Sequence, residues 1–276
     1  MPTVTVNGVS LFYVEQGEGE PVLLVHGGLG DFRDWGGLLS ACPARYRAIA
    51  YSRRNAYPNA LMPEAVTSGF AEHANDLAEL VAALGAAPAH VVADSYGAAV
   101  ALVCALRRPE IVRTLVLDEP PIPSLLGKDP DDRSLAIDFT SFLRQRVLRA
   151  FGEGDPEQAV RSLVNRLEGS DGAWDRIPRP ARDEILGNAT SLYRELRAGF
   201  PELTREELHQ LRVPVLLLRG DRGPDILHRC TQALADCIPR SRLMTLPGLT
   251  HGALPQSTGY ARAVLEFLDE HQAHRS

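Results

Sequence analysis

The run Pro21-Val22-Leu23-Leu24-Val25-His26 is apolar at nearly every position and stops at Gly27-Gly28. A strand of this kind has no polar face to offer water, so it belongs inside a sheet covered on both sides. Further strands are read at 47–51, 90–93, 112–117, 215–219 and 241–246. Helical patterns separate them. Phe70, Ala74, Leu77, Val81 and Leu84 recur at helical spacing before Gly85, and 98–106 is rich in alanine and valine. A helix follows the strand at 215–219, and Tyr260, Val264, Phe267 and Leu268 mark a last one. Strands alternating with helices of this length predict a parallel sheet built from right-handed crossovers. At the start, segments 3–6 and 11–14 flank Asn7-Gly8, a two-residue hairpin signal that adds an antiparallel pair.

The alternation fails over 121–210, where helix signals stand alone. Asp155-Pro156-Glu157-Gln158 reads as a capping box with proline in the first turn, and Thr204-Arg205-Glu206-Glu207 as a second box. Ahead of both, Phe139, Phe142, Leu143 and Val147 mark an amphipathic helix. A helical block inserted into a parallel sheet reads as a lid. The expected fold is therefore α/β. It has a mostly parallel central sheet with an antiparallel N-terminal hairpin, and helices on both faces. Residues 1–120 and 211–276 form the core, with 121–210 as a helical lid.

Charge and composition prune the functions open to such a fold. With 29 basic and 35 acidic side chains the net charge is −6, against a nucleic-acid surface, which needs a basic patch. No apolar run approaches the ~18 residues of a membrane span, and Met1-Pro2-Thr3-Val4 lacks the regions of a signal peptide. A cytoplasmic protein with no membrane partner is expected. Cys42, Cys104, Cys230 and Cys237 show no CxxC spacing and read as reduced structural thiols. The sole lysine, Lys128, has no GxxxxGK[ST] around it, which removes Schiff-base and Walker-type chemistry. No His/Cys/Asp cluster has ligand spacing, so no metal or cofactor is expected.

Three segments carry chemistry. Ala93-Asp94-Ser95-Tyr96-Gly97 lies between a buried strand and a helix, the setting of a nucleophile elbow whose first glycine is here alanine. The sharp turn demands small residues two before and two after the serine, and alanine meets that demand. His26-Gly27-Gly28 ends an earlier strand, where glycine lets the backbone approach a ligand. The Gly28 amide, with that of Tyr96 at the helix start, is placed to meet a developing oxyanion. The His26 side chain itself reads as structural. His251, in Thr250-His251-Gly252, follows the last strand by a short loop, where a serine's general base is needed.

Together, His26-Gly27-Gly28, the Ser95 turn, the helical insertion and the late His251 resemble the α/β-hydrolase fold superfamily over essentially the whole chain. Tyr51-Ser52-Arg53-Arg54 and Leu117-Asp118-Glu119-Pro120-Pro121 look like a bacterial subgroup of small, lid-bearing serine hydrolases. The resemblance implies Ser95 as nucleophile, His251 as base, and the Gly28 and Tyr96 amides as oxyanion hole. Relatives with an aspartate nucleophile place it where Ser95 stands, so their chemistry is disfavoured. Many relatives carry histidine at the position of Asp94, a departure that alters the charge of the site. In most of the superfamily the acid stands three residues after a glycine that follows the strand matched here by 215–219. Here Gly220 is followed by Asp221, Arg222 and Gly223, so that position holds glycine. Some members place the acid after the preceding strand, where Glu119 sits. Glu119 ranks first and Asp221 second, and Asp225 stays open.

Two uses of such a pocket follow. One is a serine hydrolase that cleaves a small or medium, largely apolar ester, lactone or related acyl compound through an acyl-enzyme. The other is a non-hydrolytic cyclase, lyase or small-molecule receptor. The insertion carries 13 basic and 16 acidic side chains, which disfavours a polyanionic substrate. Phe142 is expected to touch the substrate from the lid. Arg53 and Arg54 read as surface cations rather than as a clamp for a substrate carboxylate. The partner is a small molecule, and the sequence leaves the oligomeric state open.

Overall fold

A computed structural model describes residues 2–66, 68–127 and 129–273. Lys128, on which Schiff-base and phosphate-loop chemistry would depend, lies outside the described residues, as does Met1. The strands are β1 (Thr3–Val6), β2 (Val9–Gln16), β3 (Glu20–Val25), β4 (Tyr46–Tyr51), β5 (Ala89–Asp94), β6 (Val112–Asp118), β7 (Val215–Gly220) and β8 (Ser241–Leu246). They form one sheet in the order β1-β2-β4-β3-β5-β6-β7-β8. The β1–β2 and β2–β4 pairs are antiparallel, and every later pair is parallel. Asn7 and Gly8 both take positive φ (+48° and +74°), the primed turn their sequence asks for. So tight a turn lets pairing begin at once, Val6 opposite Val9, and β2 starts two residues before the expected position.

The apolar β3 run is explained by two cores. Leu23 and Val25 pack into a cluster with the helices Phe70–Ala83, Ser95–Arg107 and Asp225–Cys237. Val22 and Leu24 point the other way, into a cluster with Trp35, Leu38 and the helix Thr258–Asp269. Alternate side chains of one strand thus serve both faces, each fully buried leucine contributing about 1.5–3 kcal/mol.

Between Asp118 and Val215 the described residues contain helices and no strand. The Thr204 box closes in both directions, but the Asp155 box is only half formed. Asp155 caps the Gln158 N–H at 2.9 Å, while the Gln158 side chain turns to Ser162 at 3.0 Å. The physical reason is competition, because the Asp155 N–H already donates to the Ala150 carbonyl at 3.0 Å.

Candidate active site

The neighbouring strands β3, β5 and β6 run parallel and end level with one another. Val25 lies opposite Ala93, and Asp94 opposite Asp118. His26-Gly27-Gly28, Ser95 and Glu119 therefore leave adjacent strands at the same sheet edge, where sites of parallel sheets collect. His251 comes to this edge from the loop after β8.

Local backbone geometry explains the residue choices. Ser95 has φ +50° and Glu119 φ +41°, left-handed values that cost a non-glycine residue about 1–3 kcal/mol each. A Cβ at Gly97 would stand 2.3 Å from the His26 carbonyl oxygen and 2.5 Å from that of Val25. Only glycine lets the helix start so close to β3.

The three side chains meet. His251 Nε2 lies 3.1 Å from Ser95 Oγ, and its Nδ1 lies 2.6 Å from Glu119 Oε2. The carboxylate makes Nδ1 the protonated nitrogen and leaves Nε2 to accept from the serine. Glu119 is fully buried, and its Oε1 accepts from the Gly220 N–H at 3.0 Å. Among the described residues Glu119 is the carboxylate in contact with the His251 ring. Asp221 instead accepts from the Gly248 N–H at 2.6 Å, and Asp225 is exposed in the first turn of the helix Asp225–Cys237. Gly223 has a physical reason too. A Cβ there would sit 2.7 Å from Glu119 Oε1 and 2.8 Å from His228 Nε2, so the carboxylate from β6 and the His228 ring fill the space a side chain at 223 would need.

Charges around the imidazole are mostly negative. Burial pulls the His251 pKa down, but the hydrogen bond and charge of Glu119, with the charges of Asp94 and Glu168, outweigh it and raise it. Asp94 faces Asp118 across the β5–β6 register. Apart from one another, both Asp118 oxygens and one of Asp94 lack a hydrogen-bond partner among the described residues. Burial pushes both carboxyls up, Asp94 to about 6 and Asp118 well above its ordinary value. Two buried carboxyls facing each other resist carrying two negative charges at once. Gly27 makes room for this pair, since a Cβ there would come 2.6 Å from Asp94 Oδ2.

A pH prediction follows. An anion near the imidazole favours its protonated form, and His251 must be neutral to accept the serine proton. Asp94→Asn is expected to lower the His251 pKa and move the acid limb of kcat/KM down, by about one pH unit or less. A pH–rate profile on an uncharged ester reads this directly. A limb that stays put or moves up contradicts the electrostatic role.

The remaining site residues fall as follows. Tyr96 is the second residue of the helix Ser95–Arg107, where N–H groups have no intrahelical acceptor. The His26 ring is buried in the protein. Its Nδ1 donates to the Gly27 carbonyl at 2.8 Å, and its Nε2 accepts from the Arg53 N–H at 2.9 Å. Burial and the Arg53 charge hold its pKa well below the ordinary value, so it is a neutral support of the turn.

A cavity of about 520 Å³ opens over Ser95, lined from the core by Leu29 and from the insertion by Phe139, Leu163, Leu192 and Phe200. Phe142 is not among its lining residues. Its ring lies under the Arg166 guanidinium, 5.5 Å from carbon to centroid. Phe139 and Leu143, one turn apart, share the face that reaches the cavity.

Arg53 and Arg54 correct a second expectation, being 1% and 5% exposed instead of surface cations. They pair with Glu195 and Asp76, both at 2.6 Å. Sequence reasoning also missed Asp34, on the cavity wall, whose pKa burial and the charges of Asp31 and Asp94 push up to about 7. Its only sequence signal is closeness to Gly28. Among the described residues, no three His, Cys, Asp or Glu side chains are placed to share a metal ion. No described helix is long and apolar enough to cross a membrane.

The family model described as the alpha/beta hydrolase fold matches residues 20–256. An uncharacterized hydrolase of Bacillus subtilis, YraK, is 31% identical to this chain, over 99% of it and 97% of the relative. A non-heme haloperoxidase of Rhodococcus erythropolis is 26% identical over 98% of this chain and 100% of its own. Among solved structures, a thermophilic esterase from Thermogutta terrifontis superposes with a TM-score of 0.76 at 22% identity. That match covers 98% of this chain and 97% of the esterase, and it is a likeness of fold.

Proposed function

The chain belongs to the alpha/beta hydrolase fold family, and on that premise we propose that it is a serine hydrolase acting through Ser95, His251 and Glu119. One observation carries the reading, the unbroken contact from Ser95 Oγ through the His251 ring to Glu119, at 3.1 and 2.6 Å. Ser95 Oγ attacks the acyl carbon as its proton passes to His251 Nε2, and the Glu119 carboxylate stabilises the imidazolium that forms. The carbonyl electrons move onto oxygen, which the Gly28 and Tyr96 amides receive. His251 returns the proton to the leaving oxygen, the tetrahedral adduct collapses, and an acyl-Ser95 remains. Water, deprotonated by His251, then releases the acid.

The cavity supports a small or medium, largely apolar ester, lactone or related acyl compound. About 520 Å³ of mostly aliphatic and aromatic wall suits an apolar acyl group held between sheet and lid. The insertion is accordingly proposed to act as the lid. The test is covalent labelling by a fluorophosphonate, located by peptide mapping, with turnover of p-nitrophenyl esters of increasing acyl length. Label on Ser95 with turnover is expected. A protein that binds an acyl compound but neither turns over nor labels is a receptor instead.

Leu163 sets the depth of the pocket in this reading. Leu163→Trp is expected to lower kcat/KM for the longest acyl chains by about tenfold while sparing acetate, because one lost apolar contact is worth roughly 1–3 kcal/mol. An unchanged chain-length profile places the acyl group elsewhere.

A further inference from the structure

Arg53, just past the end of β4, and Glu195, on the helix Ala189–Ala198 of the insertion, form an ion pair with both side chains 0% exposed. Replacing a buried ion pair by apolar side chains often leaves stability equal or higher, so stability alone is a weak reason for this one. Its other contacts give a better reason. Arg53 Nη2 donates to the Gly27 carbonyl at 2.7 Å and Nε to the His26 carbonyl at 3.0 Å. Its guanidinium carbon also lies 4.8 Å from the Tyr96 ring centroid. The Gly27 carbonyl is further held by His26 Nδ1 at 2.8 Å and by the Gly30 N–H at 3.3 Å.

In a trans peptide the carbonyl oxygen and the next N–H point in opposite directions. Tying the Gly27 oxygen to Arg53 therefore turns the Gly28 N–H away from Arg53, and Gly28 is a lining residue of the cavity. Glu195 completes the arrangement from above. Its Oε1 takes Arg53 Nη1 at 2.6 Å and the Ser191 hydroxyl at 3.2 Å. Its Oε2 is buried without a partner among the described residues, and a Cβ on Gly28 would stand 3.4 Å from it.

We propose that Arg53 and Glu195 are positioning residues that aim the Gly28 oxyanion donor, and that they couple this donor to the seating of the lid helix Ala189–Ala198. The inference rests on the serine hydrolase reading. Lifting the helix withdraws Glu195, frees the guanidinium, and loosens the Gly27–Gly28 peptide. The oxyanion hole is then complete only beneath a closed lid.

The experiment compares wild type, Arg53→Met/Glu195→Leu and Arg53→Lys, each titrated with a fluorophosphonate to count active sites. The double variant removes both charges together, so neither is left buried alone. Per titrated site, kcat is expected to fall by about 10–100-fold, approaching the loss of one oxyanion donor, with KM for a short apolar ester within about twofold. Affinity for an alkyl boronic acid, whose adduct places oxygen in the hole, should fall in parallel. Arg53→Lys keeps a charge for Glu195 but cannot reach both carbonyls, so it should show the same split with its melting temperature nearly retained.

If the double variant does not fold, Arg53→Lys decides alone. Unchanged kcat per site and boronate affinity in a folded variant overturn the positioning role while leaving the hydrolase reading intact. A wild type that neither labels nor turns over defeats the hydrolase reading, and the oxyanion role of Arg53 with it.

Discussion

Ser95→Ala is expected to lower kcat on any ester the wild type hydrolyses by about 10⁵–10⁶-fold, the scale seen when a serine nucleophile is removed from a working triad. Among the described residues the Ser95 hydroxyl is the group placed to give its proton to His251 Nε2, at 3.1 Å, and alanine has nothing to offer in its place. The variant should also lose all fluorophosphonate label. Its fold should survive, because alanine at φ +50° carries the same strain as serine. Ser95→Gly is the informative companion. Glycine takes positive φ freely, so the glycine variant should be equally inactive yet melt higher than the alanine variant by relief of ~1 kcal/mol or more. Ester turnover by Ser95→Ala close to the wild-type rate sinks the acyl-enzyme mechanism, whatever the melting curves show.

The sheet was readable in the chain because its signals are local. Val22-Leu23-Leu24-Val25 serves two cores, and a run with no polar side can do nothing else in water. Gly97 and the Asn7-Gly8 turn are likewise steric demands within a few residues. Ser95, Glu119 and His251 stood at strand ends in the sequence, and their mutual contacts are what the structure adds.

What the sequence hid depends on residues far apart. Glu195 lies 142 positions from Arg53, and without it a pair of arginines after a strand looks like surface charge. Asp94 and Asp118 face each other only through the β5–β6 register, which composition does not encode. Phe142 and Phe139 differ by less than one helical turn, and which of them meets the cavity is set by how the helix Pro130–Phe142 rolls on its neighbours.

Glu119→Gln is expected to cut kcat by about 10³–10⁴-fold with the fold kept, as when a triad carboxylate is neutralised. The amide is the same size and retains an oxygen for the Gly220 N–H, so the strained turn at φ +41° keeps its anchor. It cannot balance an imidazolium, and its NH₂ group favours the tautomer in which Nε2 holds the proton and cannot accept from Ser95. Asp221→Asn should leave kcat nearly unchanged, because that carboxylate serves the Gly248 turn and not the ring. A third variant tests the space the two acid positions share. Gly223 does not have positive φ, and a Cβ there would meet Glu119 Oε1 at 2.7 Å and the His228 ring at 2.8 Å, so an aspartate fits once the glutamate is gone and the His228 side chain swings aside. Glu119→Ala combined with Gly223→Asp should therefore recover part of the activity that Glu119→Ala alone loses. Full activity in Glu119→Gln together with its loss in Asp221→Asn would move the acid to the loop after β7. It would also mean that the 2.6 Å contact between Glu119 and His251 only holds the ring in place.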